Sequence, residues 1–483
     1  MLKHWTAVLA GCLLGATAVA APATAGTHAK PRTVVTTDME QDDYASLIRY
    51  LLYTNDVDTQ GIVYTSSRFH WAGDGRGTEF FLPGREYTTP QTSWRWTGTR
   101  TIQDEALRAY GRVHPNLVRH DRDYPSARSL LAKVRVGNIA FEGDMAHDTP
   151  GSDLIRDLLL DRDPRPLYLQ AWGGTNTIAR ALKSIEDDFG VHVKERVSRK
   201  AVILASGFQD ETYASYIAPH WPGIRVEELS AGYATWGYNC DRGQGNTRGP
   251  LFSGAWIRKN IQIGPYGRLY RSWLDGQAMP GDPLDIFGDP EKAPGGWCKP
   301  LAPYDFLSEG DNVAFNPLLD TGIQAPDNPA LGGWGGRAER TGPNLWTLVP
   351  AENGIAGYTT RRWADAAQND FAARMSWTLT PRFRAANHAP TVTARPASTT
   401  AQPGATVRLT ARTSDPDRDH LTTSWWHYRE EGTYPGAVAV SPRGVVTVPA
   451  DARRGQTISV IVQATDDGEF PLTRYDRVII TVR

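Results

Sequence analysis

The chain has 483 residues, room for two or three domains of about 150 residues each. Its 40% hydrophobic and 22% charged content excludes a disordered or collagen-like polymer. A net charge of −1, from 52 basic and 53 acidic residues, argues against binding nucleic acid by phosphate neutralisation. The 16 Trp are unusual, since Trp faces stack on sugars but also anchor cores and loops.

In chain order, residues 1–25 read as a signal peptide. Lys3 and His4 precede an apolar run from Trp5 to Ala20, and small-residue cleavage sites follow at Ala18-Val19-Ala20 and Ala23-Thr24-Ala25. The run is too short and too rich in Ala and Gly for a membrane anchor. The expectation is a secreted, periplasmic or cell-surface protein with no stable membrane span. Leu9-Ala10-Gly11-Cys12 matches the pattern before a lipidated Cys, but the apolar run continues past Cys12, so lipid anchoring is the second reading.

From residue 30 the chain alternates strand and helix signals. Thr33–Thr37, Gly61–Thr65, Pro166–Trp172 and Ala201–Ala205 read as buried strands. Asp42–Leu52 reads as a helix with Asp42 as N-cap and Leu47, Ile48, Leu51 and Leu52 on one face. Thr177–Ile185 and Arg361–Trp377 are the other expected helices. This alternation predicts an α/β domain over 30–386, an open, mostly parallel sheet with helices on both faces. Residues 230–350, rich in Gly, Pro and Trp, resist assignment. Cys240 and Cys298 lie in this region, and both a disulfide and two free thiols stay open.

From about Pro390, short alternating runs separated by turns predict a small all-β immunoglobulin-like sandwich over 388–483. Trp425 and Trp426 are strand neighbours, so one ring is expected in the core and one at the surface. Asp415-Pro416-Asp417-Arg418-Asp419 reads as a turn rather than a calcium loop.

The densest chemistry is Asp38-Met39-Glu40-Gln41-Asp42-Asp43, where Asp38 ends the first strand and Asp42 and Asp43 open the next helix. In a parallel sheet this turn lies at the carboxyl edge, where ligands bind. Several carboxylates in one turn repel each other unless a cation sits among them. Ca²⁺, a hard cation that tolerates irregular oxygen geometry, is the expected cofactor. Helix capping accounts for one or two of these acids, but not four. Ser66-Ser67-Arg68-Phe69-His70-Trp71 follows the second strand and belongs at the same edge. Arg68, His70 and Trp71 are therefore substrate-binding candidates, although His70 reads first as a loop histidine.

The Asp38–Asp43 stretch resembles the N-terminal fingerprint of nucleoside hydrolases. Trp172-Gly173-Gly174-Thr175-Asn176 resembles their glycine-led loop, and Glu309-Gly310-Asp311 their late Asp. The whole chain is similar to a secreted bacterial family of cellulose-binding proteins with a nucleoside-hydrolase-like domain and a C-terminal immunoglobulin-like domain. Gly332–Arg337, Asn369–Arg374 and Asp466–Arg474 carry that further likeness.

The resemblance implies calcium held by Asp38, Asp43, the backbone carbonyl of Asn176, and Asp311. It makes Asp38 the catalytic base, and Asp42 and Glu309 substrate contacts. Thr36, Glu40 and Gly310 depart from the family pattern, at positions where nucleoside hydrolases place Asp, Gly and often a proton-donating His. Two functions follow. One is calcium-dependent hydrolysis of a glycosidic or N-glycosidic bond, by water activation rather than a spaced carboxylate pair. The other is binding of cellulose or another plant polysaccharide without turnover.

Overall fold

The computed structural model describes residues 29–236, 249–271, 279, 282, 309–323 and 326–483. The signal segment, Cys12, Cys240 and Cys298 lie outside the described residues. Eight strands form one sheet: β1 (Arg32–Thr37), β2 (Asp58–Tyr64), β3 (Val134–Val136), β4 (Leu167–Ala171), β5 (Ala201–Ala205), β6 (Arg225–Glu228), β7 (Ala338–Arg340) and β8 (Leu345–Leu348). Their order is β3-β2-β1-β4-β5-β6-β8-β7, parallel except for the β7–β8 pair at one edge. The mostly parallel α/β fold expected from the alternation is present.

The strands alternate their side chains between two cores, as a pleated sheet requires. Val34, Val63, Leu169 and Ile203 pack on one face. Val35, Ile62, Tyr168 and Leu204 pack on the other. Both faces are covered, which is why these strands read as continuous apolar runs.

The order of the sheet also fixes the site. From β1 the chain moves outward through β2 and β3, then returns to add β4, β5 and β6 on the other side. The switch point lies between β1 and β4, and the crevice at their carboxyl ends is where such sheets bind ligands. Thr37 pairs with Tyr64, Thr36 with Ala171, and Ala171 with Ala205. Asp38, Thr65, Trp172 and Ser206 therefore leave the sheet side by side.

The C-terminal part holds a four-stranded sheet and two two-stranded sheets from Thr391 onward, with one short helical turn at Arg429–Glu431 among the described residues. Trp425 packs into its core. Trp426, on the opposite face, is only partly exposed rather than free at the surface. It packs against Trp363 and Tyr428 in the seam with the first domain, because that face of the strand is covered by the α/β layer. Among the described residues no helix is long and apolar enough to cross a membrane.

Candidate functional site

The turn after β1 is built around a backbone reversal at Met39, whose φ of 58° lies in the left-handed region. The Thr37 hydroxyl holds the reversal from both sides. It accepts the Met39 N–H at 3.0 Å and donates to Asp43 Oδ1. Helix α1 (Gln41–Leu51) then begins with Glu40 as N-cap, not Asp42, and no side chain caps it. Asp42 and Asp43 instead occupy the first turn, where the helix dipole favours acids.

Asp38, Asp42, Asp43 and Asp311 are all buried, at 3% exposure or less. Asp311 precedes helix α2 (Asn312–Phe315), which packs against α1, and its N–H donates to Ser46 Oγ at 3.2 Å. Burial, and then Asp311, Asp38 and Asp42 in turn, push the Asp43 carboxyl well above its usual range. Asp311 is raised in the same way by burial, Asp38 and Glu40. Burial lifts Asp38 to about 6 against the pull of His70. Both carboxylate oxygens of Asp38 and both of Asp311 lack any well-formed hydrogen bond. Buried acids are normally paired or bound to a metal. These oxygens are what a hard cation needs.

His70 is fully buried and enters the cluster itself. Its Nδ1 lies 3.0 Å from Glu40 Oε2 and 3.7 Å from Asp38 Oδ2, while Nε2 lies 3.6 Å from Asp282 Oδ2. Burial alone would lower its pKa, but Glu40 and Asp282 hold it at about 9. Arg95 pairs with Asp282 at 3.0 Å behind it. Asp38, Glu40 and His70 form one close set of potential ligands among the described residues, and Glu40, Asp42 and Asp43 another. Asp311 stands outside both sets. Sequence reasoning missed the central place of Glu40. The signal available was its position between Asp38 and Asp42 in a turn too short to send it elsewhere.

Other candidates are placed differently. The Asn176 side chain is occupied, accepting from Thr65 at 2.7 Å and donating to Ser66, Asn138 and Asp144 at 2.9 Å. In this loop Gly173 abuts Asp38: a methyl there would meet the Asp38 side chain at 3.0 Å. Glu309 is the counterion of Arg49, accepting from Nε at 2.7 Å in a fully buried pair, so one of its oxygens is committed to structure. Trp71 is a core residue, completely covered and ringed by Phe80, Tyr87 and Phe141, with no face left for a sugar. Arg68 turns its guanidinium to the Gly84 carbonyl at 3.4 Å and to the Phe69 ring. Thr36 donates to the Gln170 carbonyl at 3.1 Å, so its hydroxyl serves the sheet.

Residues 32–338 match the family described as cellulose-binding Sde182, nucleoside hydrolase-like domain, and residues 406–482 match the cellulose-binding protein Sde0182 C-terminal domain. A solved structure of a nucleoside hydrolase-related hypothetical protein from Saccharophagus degradans, associated with carbohydrate metabolism, is 26% identical with a TM-score of 0.71. It covers 94% of this chain and 100% of its own. A plant nucleoside hydrolase, PpNRh1, aligns at 10% identity and a TM-score of 0.35 over 73% of this chain and 99% of its own. No curated protein sequence matches the chain.

Proposed function

Because the chain belongs to the cellulose-binding Sde182 family through its nucleoside hydrolase-like domain, we propose that the acidic crevice is a calcium-dependent site for hydrolysing a glycosidic or N-glycosidic bond in a sugar-containing substrate. The observation that carries this reading is the set of bare, buried oxygens on Asp38 and Asp311. Oxygen donors alone, in an irregular cluster, fit calcium better than a softer metal. Asp38, Asp43 and Asp311 would hold the ion, with Glu40 completing the shell on the α1 side. Bound there, calcium would supply positive charge that lowers the cost of ionising water and that vicinal sugar hydroxyls can ligate.

The remaining work belongs to the chain. Asp38 would take the proton from the attacking water as positive charge grows on the anomeric carbon. Thr37 keeps Asp43 in one orientation through its hydroxyl. Asp42 would accept a sugar hydroxyl. His70, pinned between Glu40 and Asp282, offsets part of the acidic charge and orients Glu40. Glu309 is tied to Arg49, so protonation of the leaving group would be weak and substrates with acidic leaving groups would turn over fastest.

That same engagement of Glu309 favours a second reading, in which the crevice binds carbohydrate, cellulose among the candidates, without turnover. The test is incubation with p-nitrophenyl glycosides, nucleosides and cello-oligosaccharides, with and without a calcium chelator. Product release that needs calcium and is lost in Asp38→Asn supports the hydrolase. Saturable binding without product supports the second reading. Neither product nor binding contradicts both.

A further inference from the structure

A second group of acids lies outside the crevice, at the junction between the two domains. Asp415, Asp417 and Asp419 bring one carboxylate oxygen each to within 4.8 Å of one another. A turn explains part of this. Asp415 Oδ1 accepts the N–H groups of Asp417 at 2.8 Å and Asp419 at 3.0 Å. It does not explain what faces the turn.

Asp466 and Asn387 are 4% and 6% exposed, yet Asp466 Oδ2 and Asn387 Oδ1 have no donor, and neither has Asp415 Oδ2. The Asn387 amide is not free to flip. Its Nδ2 donates to Asp466 Oδ1 at 3.0 Å and to the Glu469 carbonyl at 3.1 Å, which fixes Oδ1 on the bare side. These groups are neighbours. A methyl on Gly468 would fall 2.4 Å from Asn387 Nδ2 and 2.6 Å from Asp419 Oδ2. After burial, Asp415 is a nearby charge that pushes the Asp466 carboxyl upward.

Asp417 is held by His388, whose N–H donates to Oδ2 at 2.7 Å. We infer that Asp415, Asp419, Asp466 and the Asn387 carbonyl oxygen form a divalent-cation site, of calcium type, that ties the domain junction to two loops of the sandwich. The donors are all oxygen and come from three separate segments, the irregular arrangement calcium accepts and magnesium resists. Binding would fix the loop carrying Arg418, an exposed residue at φ 72°.

Calcium chloride is the probe, on the full chain in an Asp43→Ala background that disables the crevice. Titration calorimetry should show one bound calcium, lost in the Asp415→Asn/Asp466→Asn pair. Asparagine keeps the Oδ1 acceptor of the turn while removing the charge. Calcium should also slow trypsin cleavage after Arg418 by about tenfold, since protection follows the population of the open loop. If the pair does not fold by circular dichroism, Asp419→Asn, at a half-exposed position, must show the same loss. No calcium bound in the Asp43→Ala chain, unchanged stoichiometry in the variants, or calcium-independent cleavage would overturn the site.

Discussion

At Asp38 and Asp311 the fold buries four carboxylate oxygens, none of which has a well-formed hydrogen bond. A cation bound there, as proposed, would offset the cost of burying such groups and link stability to binding at these residues. With free calcium at 100 times its dissociation constant, the proposed site would add about 2.7 kcal/mol to the native state. Chelation should therefore lower the melting temperature of the wild-type chain. Asp43→Ala, which deletes a ligand and relieves repulsion, should lose the crevice's share of that response in differential scanning calorimetry and keep only the part owed to the junction acids. An equal response in both proteins would mean that the ion binds elsewhere.

A different buried acid makes a prediction about pH. Burial pushes Glu227 up to about 7, against Arg225, whose Nε lies 3.1 Å away. The folded state then holds a proton that the unfolded chain releases near its ordinary pKa of about 4.3. Stability should fall as pH rises from about 4.5 to 7, by roughly 3 kcal/mol in total. Glu227→Gln should flatten that part of the urea-denaturation profile and leave the variant more stable at pH 8. A profile unchanged by the substitution would remove Glu227 as its source.

Among the elements, the loop after β4 shows how tightly the crevice is built. A methyl at Gly174 would fall 2.2 Å from Asp210 Oδ2 and 2.5 Å from the Ser66 carbonyl. Asp210 cannot yield, because it accepts from Asn176 N–H at 3.0 Å and Thr212 N–H at 2.9 Å. Gly174→Ala should cost about 2–3 kcal/mol in a urea melt and weaken calcium binding as the loop is pushed toward Asp38. Full stability would show that the loop has room. The strands that frame this loop were legible because they are buried on both faces and rich in Val, Ile and Leu.

β3, β6, β7 and β8 were not legible. They are three or four residues long, and the first three carry charged residues at Arg135, Arg225 and Arg340. The helix Arg108–His120 was hidden by Pro115 within it. In the site, the acids were legible because they crowd one short stretch. The burial of Trp71 and the pairing of Glu309 with Arg49 depend on partners far away in sequence, which local pattern cannot show.

Across the whole molecule the two domains share a packed seam rather than a linker. Trp363, Trp426, Tyr428 and Tyr475 meet there, with Arg362 over the Tyr428 ring at 4.3 Å. Arg477 donates to Glu431 at 2.7 and 2.8 Å and to the Gly332 carbonyl at 2.8 Å, while Gly332 N–H returns a bond to Glu431. Removing one partner of such a buried pair leaves an uncompensated charge, at a cost of about 3–5 kcal/mol. Arg477→Ala should destabilise the chain by that order and split one calorimetric transition into two. A single transition at the wild-type temperature would mean that the seam carries no stability.

The proposed chemistry requires a divalent ion in the crevice beside β1. Anomalous diffraction from crystals grown with terbium as a calcium substitute tests it most directly. A strong peak within ligand distance of Asp38, Asp43 and Asp311, absent in Asp43→Ala, is the predicted result. Saturating terbium with no peak among these carboxylates would contradict it.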